Sequence, residues 1–214
     1  MVIKIHGMPY STCTRRVLTA LAEKGASWEL VVVDLAKGAH KSPEFLKHQP
    51  FGQIPVLEDP DTPGFFMFES RAMCRYVDAK YKGKGTDLMG STPQETALIE
   101  TWLSVEISNF DPFASKLVAE VVFKKMYGRG DPDAAVVAEL RAGLTKTLDV
   151  YETRLATNEY LVGKQFTMAD LAHLPYFGML EAAGAGDIID AHPNVKKWWG
   201  RISSRPSWAK ANGK

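Results

Sequence analysis

Cysteine is scarce in this sequence, with only two among its 214 residues. Cys13 and Cys74 form neither a CxxC pair nor the spacing of a zinc site, so the pattern predicts no bound metal. Such low cysteine use is typical of a reducing compartment, and we expect a cytoplasmic protein. The N-terminus also lacks the charged start and apolar run of a signal peptide, and its alternating residues indicate a strand instead.

The sequence also lacks an excess of positive or negative charge and any long apolar run. The 26 basic residues are balanced by 25 acidic ones, which leaves a net charge of +1. Electrostatic nucleic-acid binding needs a basic patch, so we expect no nucleic-acid partner. No apolar run approaches the roughly 18 residues of a membrane span, so no membrane partner is expected either. A hydrophobic content of 45% nevertheless supports a substantial core.

The first 82 residues alternate between strand and helix patterns. A short strand over 2–6 precedes a helix that ends at Gly25, and the β-branched segment 28–33 indicates a second strand. A short helix capped by Ser42, a hairpin after Pro55 and a helix from Ser70 follow. Because strand, helix, strand is the pattern of a parallel pair, residues 1–82 predict an α/β domain of order β-α-β-α-β-β-α.

The rest of the chain predicts a different class of structure. Residues 83–93 are rich in Gly, Lys, Ser and Thr, and we interpret them as a linker. Between Val137 and Leu155, apolar residues recur every three or four positions, which indicates a long amphipathic helix. Thr167 and Asp170 resemble a capping box with Asp in place of the usual Glu or Gln. Residues 94–214 therefore predict an all-α domain.

The stretch from Phe51 to Ala72 indicates a ligand site. Pro55 opens its first strand, and an X-Pro bond is a place where a cis peptide can persist. A cis bond would leave the backbone N–H and C=O of Ile54 free to pair with a peptide-like ligand. Ser70 is predicted to cap the next helix, whose N-terminus suits a carboxylate, and Glu69 suits a neighbouring ammonium group. The features together fit an α-amino acid head group, although helix caps of this kind are common.

Two further segments carry groups that can bind anions. Ser11 lies at the start of the first helix, where its hydroxyl either caps the helix or donates to a bound anion. No spacing ties a base such as His6 to Ser11, so we prefer a role as donor over one as nucleophile. His40 and Lys41 lie in the loop before the next helix, where they either hold a carboxylate or simply face solvent.

Six runs of this sequence occur together in one known family. They are YSTCTRRVL (10–18), HKSPEFL (40–46), PFGQIPVL (50–57), FESRA (68–72), DPFASKL (111–117) and TMADL (167–171). On these runs the chain resembles the phi class of glutathione S-transferases over nearly its whole length. The runs are specific to that class in combination, far more so than any single one.

The resemblance implies a thioredoxin-like N-terminal domain, an all-α C-terminal domain and a homodimer. The implied activity is conjugation of glutathione, the co-substrate, to hydrophobic electrophiles, with some peroxidase activity toward organic hydroperoxides. Ser11 would be the catalytic hydroxyl, the bond before Pro55 would be cis, and Thr167 and Asp170 would form a buried capping motif that serves folding. Glutathione would be bound by Ser11 together with His40, Lys41, Gln53, Ile54 through its backbone, Pro55, Glu69 and Ser70.

The electrophile is expected to lie against an apolar wall between the domains. This wall varies within such families, so the identity of the electrophile is not readable from the sequence. Each apolar candidate is also more often plain core than pocket. The resemblance loosely favours Leu35, Phe113, Leu117, Phe123 and Phe177.

Two departures from the class pattern leave alternatives open. The turn 59–64, with two prolines, is a few residues longer than usual and lies just before Glu69. Cys13 follows Ser11 near a helix N-terminus, where thiol pKa values fall. One alternative function is therefore a glutathione-dependent thiol-disulfide oxidoreductase that acts through Cys13. The other is a non-catalytic carrier of hydrophobic ligands.

Overall fold

The computed structural model describes residues Val2–Gly213 and divides into two compact units. The first unit comprises the chain through Leu88 together with the segment from Arg205 onward. The second comprises Met89–Ser204. No helix in the described chain is long and apolar enough to cross a lipid bilayer.

The first unit is built on a four-stranded mixed sheet. Its elements are β1 (Ile3–Gly7), α1 (Thr12–Glu23), β2 (Trp28–Val32), a 3₁₀ turn (Ala39–Lys41), α2 (Pro43–Leu46), β3 (Val56–Glu58), β4 (Phe66–Met67) and α3 (Ser70–Lys80). The strand order is β2-β1-β3-β4, with β1 parallel to β2 and β3 antiparallel to both β1 and β4. Alternate residues of β1, Ile3 and Ile5, are buried, as a half-buried strand requires. The predicted order β-α-β-α-β-β-α is confirmed.

Two helices of this unit begin where local sequence predicts. Ser11 is the N-cap of α1, with extended backbone and an Oγ that accepts the N–H of Thr14 at 3.3 Å. Ser42 caps α2 in the same way through the N–H of Phe45 at 3.3 Å. Gly25 follows α1 with a φ of 63°, a left-handed conformation that glycine adopts without strain.

Helix α3 begins at Ser70 as predicted, but its cap residue differs from the prediction. The sequence predicts Ser70 as the cap residue, whereas the structure has Glu69 in the cap position and Ser70 at the first helical position. Glu69 has a φ of 70°, the one positive value among the described residues other than glycine. Its side chain makes no capping hydrogen bond. The prediction was wrong because the Oγ of Ser70 accepts a hydrogen bond from Arg16 at 2.8 Å, a long-range contact that capping preference does not include.

The second unit consists of helices and connecting loops, which confirms the all-α prediction. Residues 128–132 separate its two long helical stretches. Its elements are α4 (Pro93–Val105), a π-helical segment (Glu106–Phe110), α5 (Asp111–Val118), a second π-helical segment (Ala119–Phe123), α6 (Lys124–Met126), α7 (Ala134–Leu155), α8 (Met168–Phe177), α9 (Gly186–Asp190) and α10 (Pro193–Ser203).

Aromatic side chains from three helices form the centre of this unit. Tyr151 of α7, His173 of α8 and Trp198 of α10 are buried, with ring centroids of His173 at 5.4 and 5.5 Å from the other two. The Nδ1 of His173 lies 2.7 Å from the carbonyl of Ala169, and its Nε2 lies 2.8 Å from the Oη of Tyr151. Because a carbonyl only accepts, the Nδ1 of His173 carries a proton and donates it to Ala169.

The predicted capping box at the start of α8 is confirmed and buried. The Oδ2 of Asp170 accepts from the N–H and the hydroxyl of Thr167 at 2.9 and 3.1 Å. Its Oδ1 accepts from the N–H of Leu161 at 3.0 Å and from the indole of Trp198 at 2.8 Å. Burial raises the pKa of Asp170, and these hydrogen bonds oppose that rise. Asp170 thus joins α8, α10 and the preceding loop.

The end of the chain packs with the first unit. The predicted boundary assigns 205–214 to the all-α domain, whereas α11 (Pro206–Ala211) packs on α1 in the structure. Arg205 donates to both carboxylate oxygens of Glu23, at 2.6 and 2.7 Å. Burial acts to raise the pKa of Glu23, but hydrogen bonds from Arg205, Ser207 and Thr86 bring it below the ordinary value. The pairing spans most of the sequence, so local patterns do not reveal it.

Candidate functional site

The hydroxyl of Ser11 caps α1 and still keeps a hydrogen to donate. Its Oγ accepts the N–H of Thr14 at 3.3 Å through a lone pair. A serine hydroxyl has one hydrogen in addition to its lone pairs, so the capping bond leaves this hydrogen for another partner. Ser11 can therefore cap α1 and donate a hydrogen bond to an anion at the same time, although the sequence leaves these two roles as alternatives.

Pro55 lies against the start of α1. The peptide bond between Ile54 and Pro55 is cis, as the resemblance implies. A Cβ at Gly7 would lie 3.4 Å from the Cβ of Pro55 and 3.1 Å from the Cγ2 of Thr14, so the glycine lets these residues approach. Within Val2–Gly213, the backbone N–H and C=O of Ile54 have no protein hydrogen-bond partner. Both groups are thus left for a peptide-like ligand.

The 3₁₀ turn brings His40 and Lys41 to the loop that precedes Ile54. The Nζ of Lys41 donates to the carbonyl of Phe51 at 3.0 Å. The Nδ1 of His40 is buried and has no hydrogen-bond partner in the described part of the chain. Buried polar atoms in native proteins are nearly always hydrogen-bonded to protein or water, so this atom is available for a hydrogen bond to a bound group.

Gly52 sets the shape of that loop, and sequence analysis does not single it out. Its φ is 61°, and its N–H donates to the carbonyl of Gln49 at 2.9 Å. A Cβ there would lie 2.7 Å from the Nζ of Lys41 and 2.9 Å from the carbonyl oxygen of His40. Only glycine therefore allows this loop to pass so close to the turn. Gln53, the next residue, is exposed.

The N-terminus of α3 combines an exposed acid with a buried hydroxyl. Glu69 is exposed and Ser70 is 5% exposed. A non-glycine residue with positive φ persists only when its surroundings hold it, and such residues concentrate at binding sites. Since Glu69 provides no side-chain cap, α3 presents an N-terminus that a ligand carboxylate can complete.

Arg16 is a further residue that sequence analysis does not single out. Its side chain is 1% exposed, and its Nη1 donates to the Oγ of Ser70 at 2.8 Å and to the Sγ of Cys13 at 3.6 Å. Its spacing in the sequence could have identified it. Thr12, Arg16 and Ala20 lie four residues apart, and all three are on the buried face of α1. An arginine in an otherwise buried stripe is unusual, because long charged side chains are almost never fully buried without partners.

The two cysteines are free thiols with different surroundings. Cys74 is fully buried, and burial raises its pKa to about 12, which makes it unreactive at neutral pH. Cys13 is half-buried beside Arg16. Among residues 2–213 no group of three or more His, Cys, Asp or Glu side chains is placed to hold a metal ion.

The apolar residues predicted to contact an electrophile have two kinds of surroundings. Two are almost completely buried and three are partly exposed: Leu117 and Phe177 in the first group, and Leu35, Phe113 and Phe123 in the second. Phe123 lines a groove of about 670 Å³ in the second unit, together with Tyr127 and Leu140. Their contact with an electrophile stays a prediction.

Comparison with known proteins gives one consistent result. The model of the glutathione S-transferase N-terminal domain matches residues 1–79, and that of the C-terminal domain matches 110–206. Glutathione S-transferase 3 of Zea mays is 47% identical over 97% of this chain and 92% of its own length. The crystal structure of glutathione transferase F7 from Populus trichocarpa has a TM-score of 0.94 at 41% identity and covers 99% of this chain and 98% of that chain.

A second solved structure carries a ligand. Glutathione S-transferase I from maize, in complex with an atrazine glutathione conjugate, has a TM-score of 0.89 at 35% identity. The match covers 100% of this chain and 97% of that chain. The similarity therefore covers both units of the chain. One of the similar proteins binds a conjugate of glutathione.

Proposed function

The chain belongs to the glutathione S-transferase family, with relatives of the plant phi-class type, and from this we propose that it joins the sulfur of glutathione to hydrophobic electrophiles. The observation that carries the proposal is the hydroxyl of Ser11, which caps α1 and keeps its hydrogen for a sulfur anion. The atrazine conjugate in the maize protein supports the class of electrophile. We also propose a cytoplasmic location, since both cysteines are free thiols.

One half of glutathione is proposed to lie between α3 and the cis proline. The carboxylate of its γ-glutamyl head group would meet the N-terminus of α3 at Ser70, and the ammonium group would meet Glu69. The central peptide unit would pair with the unpartnered N–H and C=O of Ile54, beside Pro55. The uncapped helix start and the positive φ of Glu69 support this arrangement.

The other end of glutathione is proposed to lie at the 3₁₀ turn. Its glycine carboxylate would accept hydrogen bonds from His40 and from Lys41, with Gln53 as a neighbour. The buried Nδ1 of His40, which has no partner within Val2–Gly213, supports this position. The contact of Lys41 with Phe51 holds its ammonium group at the same loop.

The chemistry of Ser11 is sufficient for the proposed reaction. A free thiol has a pKa of about 8.5 and is mostly protonated at neutral pH, and lowering the pKa by two units requires roughly 2.7 kcal/mol. A hydrogen bond to a charged group contributes about 1.5–3 kcal/mol, and a helix N-terminus adds about 0.3–1 kcal/mol. Ser11 and α1 can thus ionise most of a bound thiol, and the bound electrophile gains from proximity.

The same thiolate is proposed to reduce organic hydroperoxides. Its sulfur would attack the terminal peroxide oxygen, which breaks the O–O bond and releases the alcohol. A second glutathione would then reduce the resulting sulfenic acid, which yields glutathione disulfide and water. Ser11 would serve both reactions, because each needs the ionised thiol.

Replacement of Ser11 by alanine tests the proposed function. With 1-chloro-2,4-dinitrobenzene as electrophile, we expect kcat/KM at pH 7 to fall about 10- to 100-fold, because the thiolate loses one charge-assisted hydrogen bond. The loss should shrink as pH rises and the bound thiol ionises unaided. The control is Thr92→Ala, which removes the N-cap of α4 and should leave kcat/KM unchanged.

Two outcomes of this assay would overturn the proposal. Full activity of Ser11→Ala at pH 7 would exclude Ser11 as the thiolate donor. Binding of glutathione without any conjugation by the wild type would favour the redox or carrier functions. Intact mass analysis then separates these, because a mixed disulfide of Cys13 with glutathione, absent in Cys13→Ser, indicates the oxidoreductase.

We propose that the protein is a homodimer in which Phe51 contacts the partner subunit. Phe51 is 65% exposed in the first unit and packs edge-on against Phe68, with ring centroids 6.1 Å apart. Aromatic side chains, phenylalanine among them, are enriched at protein interfaces. Light scattering should give twice the 23.7 kDa of the chain for the wild type and a monomer for Phe51→Ser. Val32→Ser, at another exposed apolar residue, should remain dimeric, and dimeric Phe51→Ser would contradict this role.

A further inference from the structure

We infer that Arg16 is a positioning residue for glutathione, because its buried guanidinium holds the hydroxyl of Ser70 as a donor to the α-carboxylate of the γ-glutamyl group. The inference rests on the proposed function, since it concerns the same ligand. It goes beyond that function in assigning ligand selectivity to a side chain that lies under the binding residues.

The geometry sets the direction of the Ser70 hydroxyl. The Nη1 of Arg16 lies 2.8 Å from the Oγ of Ser70, and both side chains are almost completely buried. A guanidinium only donates, so Ser70 is the acceptor in this bond. The single hydrogen of Ser70 must therefore point away from Arg16. Because Ser70 is the first residue of α3, this hydrogen is available at the helix N-terminus, where a carboxylate binds.

The charge of Arg16 also strengthens this donor. A guanidinium remains protonated in proteins, and a buried charge is screened less by salt than an exposed one. A hydroxyl that accepts from a cation becomes a better donor, since chained hydrogen bonds polarise one another. The guanidinium of Arg16 thus donates to Ser70 at an N-terminus that already carries the partial charge of α3.

Arg16 connects the two helix N-termini of the proposed site. It lies in α1, five residues after the cap Ser11, and reaches α3 through Ser70. The sulfur of Cys74 in α3 lies 3.6 Å from the carbonyl oxygen of Arg16 and joins the same two helices. A purely structural Arg16 would hold the helices together without regard to the ligand. If Arg16 instead positions Ser70, replacing Arg16 should weaken only the binding of the ligand's α-carboxylate.

The experiment compares two peptides on matched variants by calorimetry. The peptides are glutathione and 4-aminobutanoyl-cysteinylglycine, which lacks only the α-carboxylate. We expect Arg16→Met to weaken glutathione binding about tenfold or more, as for loss of a hydrogen bond to a charged group. Binding of the second peptide should be nearly unchanged. Arg16→Lys should retain part of the affinity, because it keeps the charge without the fixed geometry.

A double-mutant cycle identifies Ser70 as the intermediary. In a Ser70→Ala background, Arg16→Met should have little further effect on glutathione affinity, because the donor it orients is gone. Lys24→Met is the matched control, since it removes a buried cation that pairs with Asp78 at 2.9 Å in the same unit. It should lower thermal stability without changing the preference between the two peptides.

The possible failures are distinguishable. Equal weakening of both peptides by Arg16→Met, or full additivity with Ser70→Ala, would overturn this inference alone. A wild type that binds neither peptide and conjugates no glutathione would overturn the proposed function. If Arg16→Met does not fold, the same two comparisons are made with Arg16→Lys, and equal weakening of both peptides again excludes the inference.

Discussion

Replacing Asp170 by alanine is expected to lower the free energy of unfolding by about 3–5 kcal/mol. The carboxylate is buried and accepts four hydrogen bonds, from Leu161, from the backbone and side chain of Thr167, and from Trp198. Its removal leaves these donors without a partner, and an unsatisfied buried donor costs about 1–3 kcal/mol. Urea unfolding followed by circular dichroism measures the loss.

The second capping box of the chain provides the control. Glu95 caps the start of α4 through the N–H groups of Ser91 and Thr92, and it is exposed to water. Glu95→Ala should cost much less stability, because water replaces the lost acceptor. Asp170→Asn should fall between the two, since its amide keeps one acceptor oxygen but turns an NH₂ toward donors. Similar losses for Asp170→Ala and Glu95→Ala would contradict the assigned importance of burial.

Replacing Gly52 by alanine is expected to weaken glutathione binding about 10- to 100-fold and to destabilise the fold by about 2–3 kcal/mol. The left-handed backbone strains any residue with a Cβ, and this Cβ would also collide with Lys41 and with the backbone of His40. The loop must therefore shift, and the proposed site for the glycine carboxylate shifts with it. Calorimetric titration with glutathione and urea unfolding measure the two effects.

The variant Gly38→Ala distinguishes the effect of the steric collision from the effect of the backbone strain. Gly38 has a φ of 69°, and a Cβ there would meet nothing within 4 Å. Gly38→Ala should thus lower the free energy of unfolding only by the strain of the left-handed conformation, about 1–2 kcal/mol. It should leave glutathione affinity almost unchanged. Equal losses of affinity in the two variants would show that the contacts of Gly52 with the turn do not matter for binding.

Much of this structure was predictable because it depends on residues close in sequence. The caps Ser11 and Ser42, the end of α1 at Gly25 and the box of Thr167 with Asp170 are all confirmed. Each depends on one or two hydrogen bonds within a single helical turn, so the residue types are enough to predict it. The order of strands and helices follows from apolar periodicity for the same reason.

The residues that the sequence misplaced or missed take part in long-range contacts. Ser70 was expected as a cap, but Arg16, 54 positions earlier, uses its hydroxyl. Gly52 was not singled out from the sequence, yet a Cβ there would collide with Lys41 and with the carbonyl oxygen of His40 in the 3₁₀ turn. Arg205 was assigned to the helical domain, yet it pairs with Glu23. Apart from the position of Arg16 on the buried face of α1, none of these contacts leaves a periodic or local mark in the sequence.

By itself, the sequence determined the two-part organisation, the family through its six runs, and the set of residues proposed to bind glutathione. Local propensity and periodicity account for the two-part organisation because they act over a few residues. The family and the residues proposed to bind glutathione follow from the resemblance that the six runs carry. Only the tertiary structure decided that Ser11 can cap and donate together, that the Nδ1 of His40 is buried without a partner in Val2–Gly213, and that Arg16 supports Ser70. Hydrogen-bond direction and burial depend on atoms that approach only when the chain folds.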